Sequence, residues 1–117
     1  MIDKKLVAFL RKCHTAMDFD SLKYPFDPAS AVSTLVACRD NGIFIEQREE
    51  GEVVGCFAAI LAPDPYHYKY GTYHEVVWHS DPELSPRKQL KILYSLIKEA
   101  ITASGDIPLN MHIENCR

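Results

Sequence analysis

Trp78-His79-Ser80-Asp81-Pro82-Glu83-Leu84-Ser85-Pro86-Arg87-Lys88-Gln89-Leu90 decides the reading of this chain. It joins the end of an apolar strand, through a short loop, to a sharply capped helix start, with Ser85 at the N-cap and Pro86 at the first helical position. A helix start just past a strand end points several backbone N–H groups and a positive dipole end outward. That makes it a natural seat for an anion.

Downstream, Pro86 to Ser104 reads as a helix with Leu90, Leu93, Tyr94, Ile97 and Ile101 on one side, ended by Gly105, and Ile107 to Ile113 as a last strand. Upstream, Thr72 to His79 forms a long strand. Before it, Ala62 to Gly71 is expected to be a loop, carrying Pro63, Pro65, Tyr66, His67, Tyr68 and Tyr70. Val53 to Leu61 is apolar on both faces and reads as a central strand. Glu49-Glu50-Gly51-Glu52 is a hairpin turn joining it to the strand Ile43 to Arg48.

Two helices precede these strands. Asp3 caps the first, whose Leu6, Phe9, Leu10, Cys13 and Met17 fall at helical spacing. After a polar and aromatic stretch with Tyr24-Pro25-Phe26 as a rigid surface turn, Asp27-Pro28 opens the second. Val32, Leu35 and Val36 give that helix one apolar face, and Asn41-Gly42 ends it. The order helix, helix, strand, strand, strand, helix, strand predicts an α+β fold. Three strands form an antiparallel meander, and a right-handed crossover lays the last strand parallel to its predecessor, with helices on both faces.

The 117 residues are expected to make a single domain that buries roughly two-thirds of its unfolded surface. A hydrophobic content of 47% with 25% charged residues is ordinary for a globular protein. The formal charge of −3 provides no general attraction to nucleic acid or anionic membranes. No apolar run approaches the ~18 residues of a membrane span. Met1-Ile2-Asp3-Lys4-Lys5 leads into an amphipathic pattern rather than a signal peptide, so the expected compartment is the cytoplasm. Cys13, Cys38, Cys56 and Cys116 are far apart without a C-x-x-C pair, and read as buried thiols rather than a disulfide or zinc set.

The element order and its punctuation resemble the core of the GNAT superfamily of acyl-CoA-dependent N-acetyltransferases. Val53-Val54-Gly55-Cys56-Phe57 is similar to that family's "I/V-V-G" strand opening. His74-Glu75-Val76-Val77-Trp78 is like its fourth strand, followed by Asp81-Pro82-Glu83 where the family often reads "x-P-E". Ile113-Glu114-Asn115 resembles the point where many members place an asparagine before their next helix. The likeness spans residues 1–115 in element order and is closest to small phage-encoded members. It implies a GNAT-like sheet, acetyl-CoA as the acyl donor, and an amine as acceptor.

Two departures stand against it. The family's pyrophosphate loop reads R/Q-x-x-G-x-G/A, whereas here Ser85, Lys88 and Leu90 occupy the R/Q and glycine positions. A Cβ there crowds an approaching phosphate, and Pro86 removes one N–H donor, although Arg87 and Lys88 add cationic charge. The competing reading is a Ser-Pro cap followed by two solvated basic residues. The family also continues with a further helix and two strands, so a single domain over 1–117 is expected to lack that C-terminal half.

Transfer to an amine needs a base for the ammonium proton. The resemblance points to Glu75, an expensive residue to bury without purpose; the alternative is a Glu75 that faces solvent or pairs with a lysine. His79 is an alternative base. The resemblance assigns contacts with the donor's pantetheine arm to backbone groups around Val77, Trp78 and His79, and contacts with its pyrophosphate to the helix start at Arg87, Lys88 and Gln89. His74 and His79, five apart, face opposite sides of a regular strand and are not expected to chelate a metal. Ser85, Cys56 and Cys116 lack the context of a nucleophile. The Tyr66, His67, Tyr68 and Tyr70 segment has the amphipathic aromatic character of a contact site for a partner or acceptor, or of a lid over the sheet edge. One lysine in it is a thin basis for nucleic-acid binding.

Two functions are therefore open. One is a GNAT-type acetyltransferase acting on an unidentified amine. The other is a non-catalytic GNAT-fold interaction module, of phage structural or anti-defence type, with a macromolecular partner. A sheet edge or apolar face needing cover fits a homodimer.

Overall fold

The computed structural model of the chain describes residues 2–17 and 24–111. Asp18 to Lys23, and Ile113, Glu114, Asn115 and Cys116, lie outside the described residues, and so does the side chain of Tyr68. Helix α1 spans Lys4–Ala16, and its first turn is closed by Asp3, whose carboxylate accepts from the Leu6 N–H at 3.0 Å. Arg48 also reaches that carboxylate, at 2.9 Å, and together these bonds hold the Asp3 pKa down at about 2. Helix α2 spans Pro28–Asn41, capped by Asp27 with Pro28 at its start, as expected from Asp27-Pro28.

The strands are β1 (Gly42–Glu49), β2 (Glu52–Asp64), β3 (His67–Ser80) and β4 (Leu109–Asn110), and the third helix, α3, spans Pro86–Ser104. They lie in the order β1-β2-β3-β4, antiparallel except for β4, which runs parallel to β3. Glu50 and Gly51, both at positive φ, make the tight turn between β1 and β2. The core divides at the sheet. Leu6, Phe9, Leu10 and Cys13 of α1 and Leu35 and Cys38 of α2 pack on Val53, Cys56 and Ala58. Ile92, Leu96 and Ala100 of α3 pack on the opposite face, against Val54, Phe57 and Ala59. Gly55 permits that second contact, since a Cβ there would lie 2.5 Å from Ile92 Cγ2 and 3.0 Å from Leu96 Cδ1.

Four expectations need correction. Ala62 to Gly71 is not a loop. β2 and β3 continue through it, pairing Ala62 with Thr72, Pro63 with Gly71 and Asp64 with His67, so only Pro65 and Tyr66 turn the chain. Asp64 makes so short a turn possible by accepting from the Tyr66 N–H at 2.7 Å.

The apolar side of α3 is also offset from the expected one. The buried residues are Ile92, Leu96, Ala100 and Ser104, while Leu90, Tyr94 and Ile101 stand exposed. Both sets repeat with a helical period, and the set with smaller side chains is the one that fits the close approach at Gly55.

The strand expected over Ile107 to Ile113 is Leu109–Asn110 among the described residues, without Ile107, Pro108 and Met111, and the last two expected positions lie outside them. Finally, His74 and His79 share a face, because they pair with Ile60 and Cys56, residues on one side of β2. A register shift between Ala58 and Ala59 puts one extra residue of β3 between them and resets the alternation. No helix among the described residues is long and apolar enough to cross a membrane.

Candidate functional site

The end of β3 is where both faces of the sheet open. Lys12 of α1 reaches across to the β3–α3 loop, with Nζ 2.9 Å from Asp81 and 3.4 Å from Glu83. The Asp81 contact raises the Lys12 pKa, so the clamp is fully charged. Within the loop, Asp81 accepts from the Glu83 N–H, and Gln89 donates its side-chain amide to the Leu84 and Pro82 carbonyls at 2.6 and 3.3 Å. Trp78 donates Nε1–H to the Leu93 carbonyl of α3 at 3.1 Å. These bonds set α1, the strand end and the start of α3 around a cleft of about 370 Å³. Its walls include Met17, Trp78, His79, Gln89, Leu90 and Leu93.

A second cleft, of about 380 Å³, opens between α1, α2 and the chain entering α2. Leu10, His14 and Met17 form one wall, and Tyr24, Phe26 and Asp27 another, with Val77 and His79 of β3 as floor. Met17 and His79 belong to both clefts. Burial holds the His79 imidazole below its ordinary pKa of 6.5, so it is neutral at pH 7 and able to accept a proton. Asp27 is held ionised by the Ser30 hydroxyl, which lowers its pKa, and it brings a carboxylate to the second cleft.

On its second side β3 is bordered by β4. β4 pairs with it only at Tyr73 and His74, so among the described residues no strand borders β3 from Glu75 to Ser80 on that side.

The helix start is less open than its sequence promises. The Ser85 hydroxyl accepts from the Lys88 N–H at 3.3 Å, and Pro86 has no N–H, which leaves Arg87 N–H as the uncapped donor of the first three helical positions. The Lys88 ammonium leans away to Glu49, 2.9 Å distant on the far end of β1. Both partners are about half exposed, so the pair is worth at most about 1 kcal/mol.

Val77, Trp78, His79 and Gln89 thus come together at the clefts, with Arg87 and Lys88 beside them. Glu75 does not join them. It is only 2% exposed and pairs with Ala59, on the α3 face of the sheet, and it lines neither cleft. Tyr66, His67 and Tyr70 sit at the opposite end of β3, where Tyr66 is 95% exposed and the His67 ring meets Tyr70 edge-on at 4.6 Å. Met17, Asp27 and Lys12 carry no motif. Asp27 shows in the sequence as a cap, and nothing in the spacing announces that its carboxylate also faces a cleft. Burial pushes the Cys13 thiol up to about 12 and those of Cys38 and Cys56 upward as well, which leaves these cysteines poor nucleophiles.

No family model matches the chain, and no curated protein matches it. Among solved structures, an aminoglycoside acetyltransferase from an uncultured soil metagenomic sample superposes with a TM-score of 0.56 at 17% identity, over 92% of this chain and 70% of that one. The likeness is one of fold, and the α+β, GNAT-like sheet expected from the sequence is the sheet observed.

Proposed function

We propose that the protein is a GNAT-related N-acetyltransferase that takes its acetyl group from acetyl-CoA and passes it to an amine yet to be identified. The observation that carries this reading is the pair of clefts that meet at His79 near the end of β3. A transferase needs two substrates to approach one point from two sides, and this arrangement offers that geometry.

The cleft walled by Trp78, Leu90 and Leu93 suits the thin pantetheine arm. The pyrophosphate fits less well, since it would rest on Arg87 and on whatever share of Lys88 leaves Glu49. When bound, the donor supplies an activated acyl thioester.

The chain's own residues do the rest. In the second cleft the Asp27 carboxylate attracts the ammonium of an acceptor, and neutral His79 takes its proton. The amine nitrogen then bonds the acyl carbon as the C–S bond breaks, and the remaining extra N–H proton goes to the departing thiolate. Met17 lines both clefts and Phe26 the second. Glu75 remains the other base to be tested, acting from the α3 face.

The test is turnover of an acceptor panel by three forms of the protein. His79→Gln should lower turnover at least about a hundredfold, with donor binding retained. The rate of the unaltered protein should fall at a pH below 6.5, and this acid limb should vanish with the imidazole. Glu75→Gln should be far milder. A steep loss with Glu75→Gln and none with His79→Gln would move the base to Glu75.

A second reading keeps the fold and drops the chemistry. The capped Lys88 N–H, Pro86, and the Lys88–Glu49 pair favour a non-catalytic interaction module in which the anion seat has closed.

A further inference from the structure

Helix α3 carries two apolar stripes and buries one. Ile92, Leu96 and Ala100 face the sheet, and about a third of a turn away run Leu90, Tyr94, Ile97 and Ile101. Leu90, Tyr94 and Ile101 are 66%, 65% and 57% exposed. Two contacts fix the direction of this second stripe. On one flank of α3, Ser95 meets Gln47 of β1, and on the other Leu93 meets Trp78 of β3. Helical spacing places the exposed stripe beyond Leu93, overlooking the β3–β4 half of the sheet. Tyr73, Trp78 and Leu109 are half-buried on that half.

The outer border of the stripe is basic. Arg87, Lys91 and Lys98 fall in one column beside it, and Lys98 Nζ lies 5.4 Å from the Tyr94 ring centroid. Glu99, the one acidic residue of α3, points to the opposite side of the helix by the same spacing. In a chain with 16 acidic and 13 basic residues, an apolar stripe bordered by cations alone is a local feature.

We propose that this face docks an amphipathic helix of a protein partner, with apolar anchors on one stripe of that helix and a column of carboxylates beside them. The four positions from Leu90 to Ile101 span about 16 Å, the reach of i, i+4, i+7, i+11 anchors on a partner helix. The cations select the occupant. A second copy of this chain would bring its own Arg87, Lys91 and Lys98 against them, and like charges facing each other oppose that pairing. A step between a helix and a sheet also suits a helix better than a flat lipid surface. Docking here needs no donor and no turnover, although the surface shares Leu90 with the donor cleft of the transferase reading, and Arg87 with its pyrophosphate seat.

The probe is a synthetic peptide of about four helical turns, with leucines at the anchor spacing and glutamates along one border, and a twin in which every glutamate is lysine. Binding to the full chain is read by amide chemical shifts and Trp78 fluorescence. The acidic peptide should perturb α3 and Trp78 saturably and bind at least about tenfold more tightly than the basic twin. Lys91→Glu/Lys98→Glu should reverse that preference, a result that lost folding cannot imitate. Equal binding of the two peptides, or shifts away from α3, would overturn the proposal. So would a sedimenting dimer dispersed by Leu90→Ser/Tyr94→Ser, or tight binding to phosphatidylserine vesicles with none to the acidic peptide.

Discussion

Two helices cover one face of the sheet and a single helix covers the other. On the α1/α2 face, Leu6, Phe9, Leu35 and Cys38 fill the layer, and a cleft opens where the chain passes into α2. On the α3 face, contact is concentrated at Gly55, where the helix comes so near that there is no room for a side chain. The side of α3 turned away from Ile92, Leu96, Ala100 and Ser104 is largely exposed. The first face gains its stability from breadth and the second from close approach, and the clefts lie at the strand end where the two layers meet.

Substitutions can break that comparison. The largest effect is expected at the buried stripe of α3, where Leu96→Ala removes a fully buried side chain and should cost about 2–5 kcal/mol in denaturant unfolding. Gly55→Val comes next. Its branches would enter space held by Ile92 and Leu96, and a loss of about 1–3 kcal/mol is expected. The equivalent enlargement at Ala29, exposed on α2, should be tolerated, which sharpens the contrast between the faces. The smallest effect is expected at Tyr94→Ser, within about 0.5 kcal/mol, because Tyr94 belongs to the exposed stripe. A loss at Tyr94 as large as that at Leu96 would restore the apolar side that helical spacing first suggests.

The half-buried His79 adds a pH dependence. Its pKa is lowered in the folded state, so the unfolded chain takes up the proton first. This contribution to stability is therefore complete above 6.5 and falls as the pH drops below it.

What the sequence makes legible is what local chemistry decides. Asp3, Asp27-Pro28 and Ser85-Pro86 announce the three helix starts because a cap needs only its own turn. Val53 to Leu61 announces a central strand because both of its faces are apolar. Three features are not legible, each because it depends on a distant partner. Pro63 and Pro65 suggest a loop, yet the Asx turn at Asp64 lets the hairpin continue. α3 has two stripes of equal period, and the approach at Gly55 chooses between them. The bulge in β3 changes which side chains share a face, so His79 reaches the clefts while Glu75 pairs with Ala59 on the other side. Of the candidate site, the strand end and the helix start are readable in sequence. Asp27, Met17 and Lys12 enter it only once α1 and α2 are packed.

Calorimetric titration of the purified protein with acetyl-CoA tests the paired clefts most directly. Saturable binding is expected, weakened by Arg87→Glu, little changed by Lys88→Ala because that ammonium leans to Glu49, and retained by His79→Gln. No detectable heat at millimolar acetyl-CoA would contradict the transferase account and leave the fold as a platform for partners.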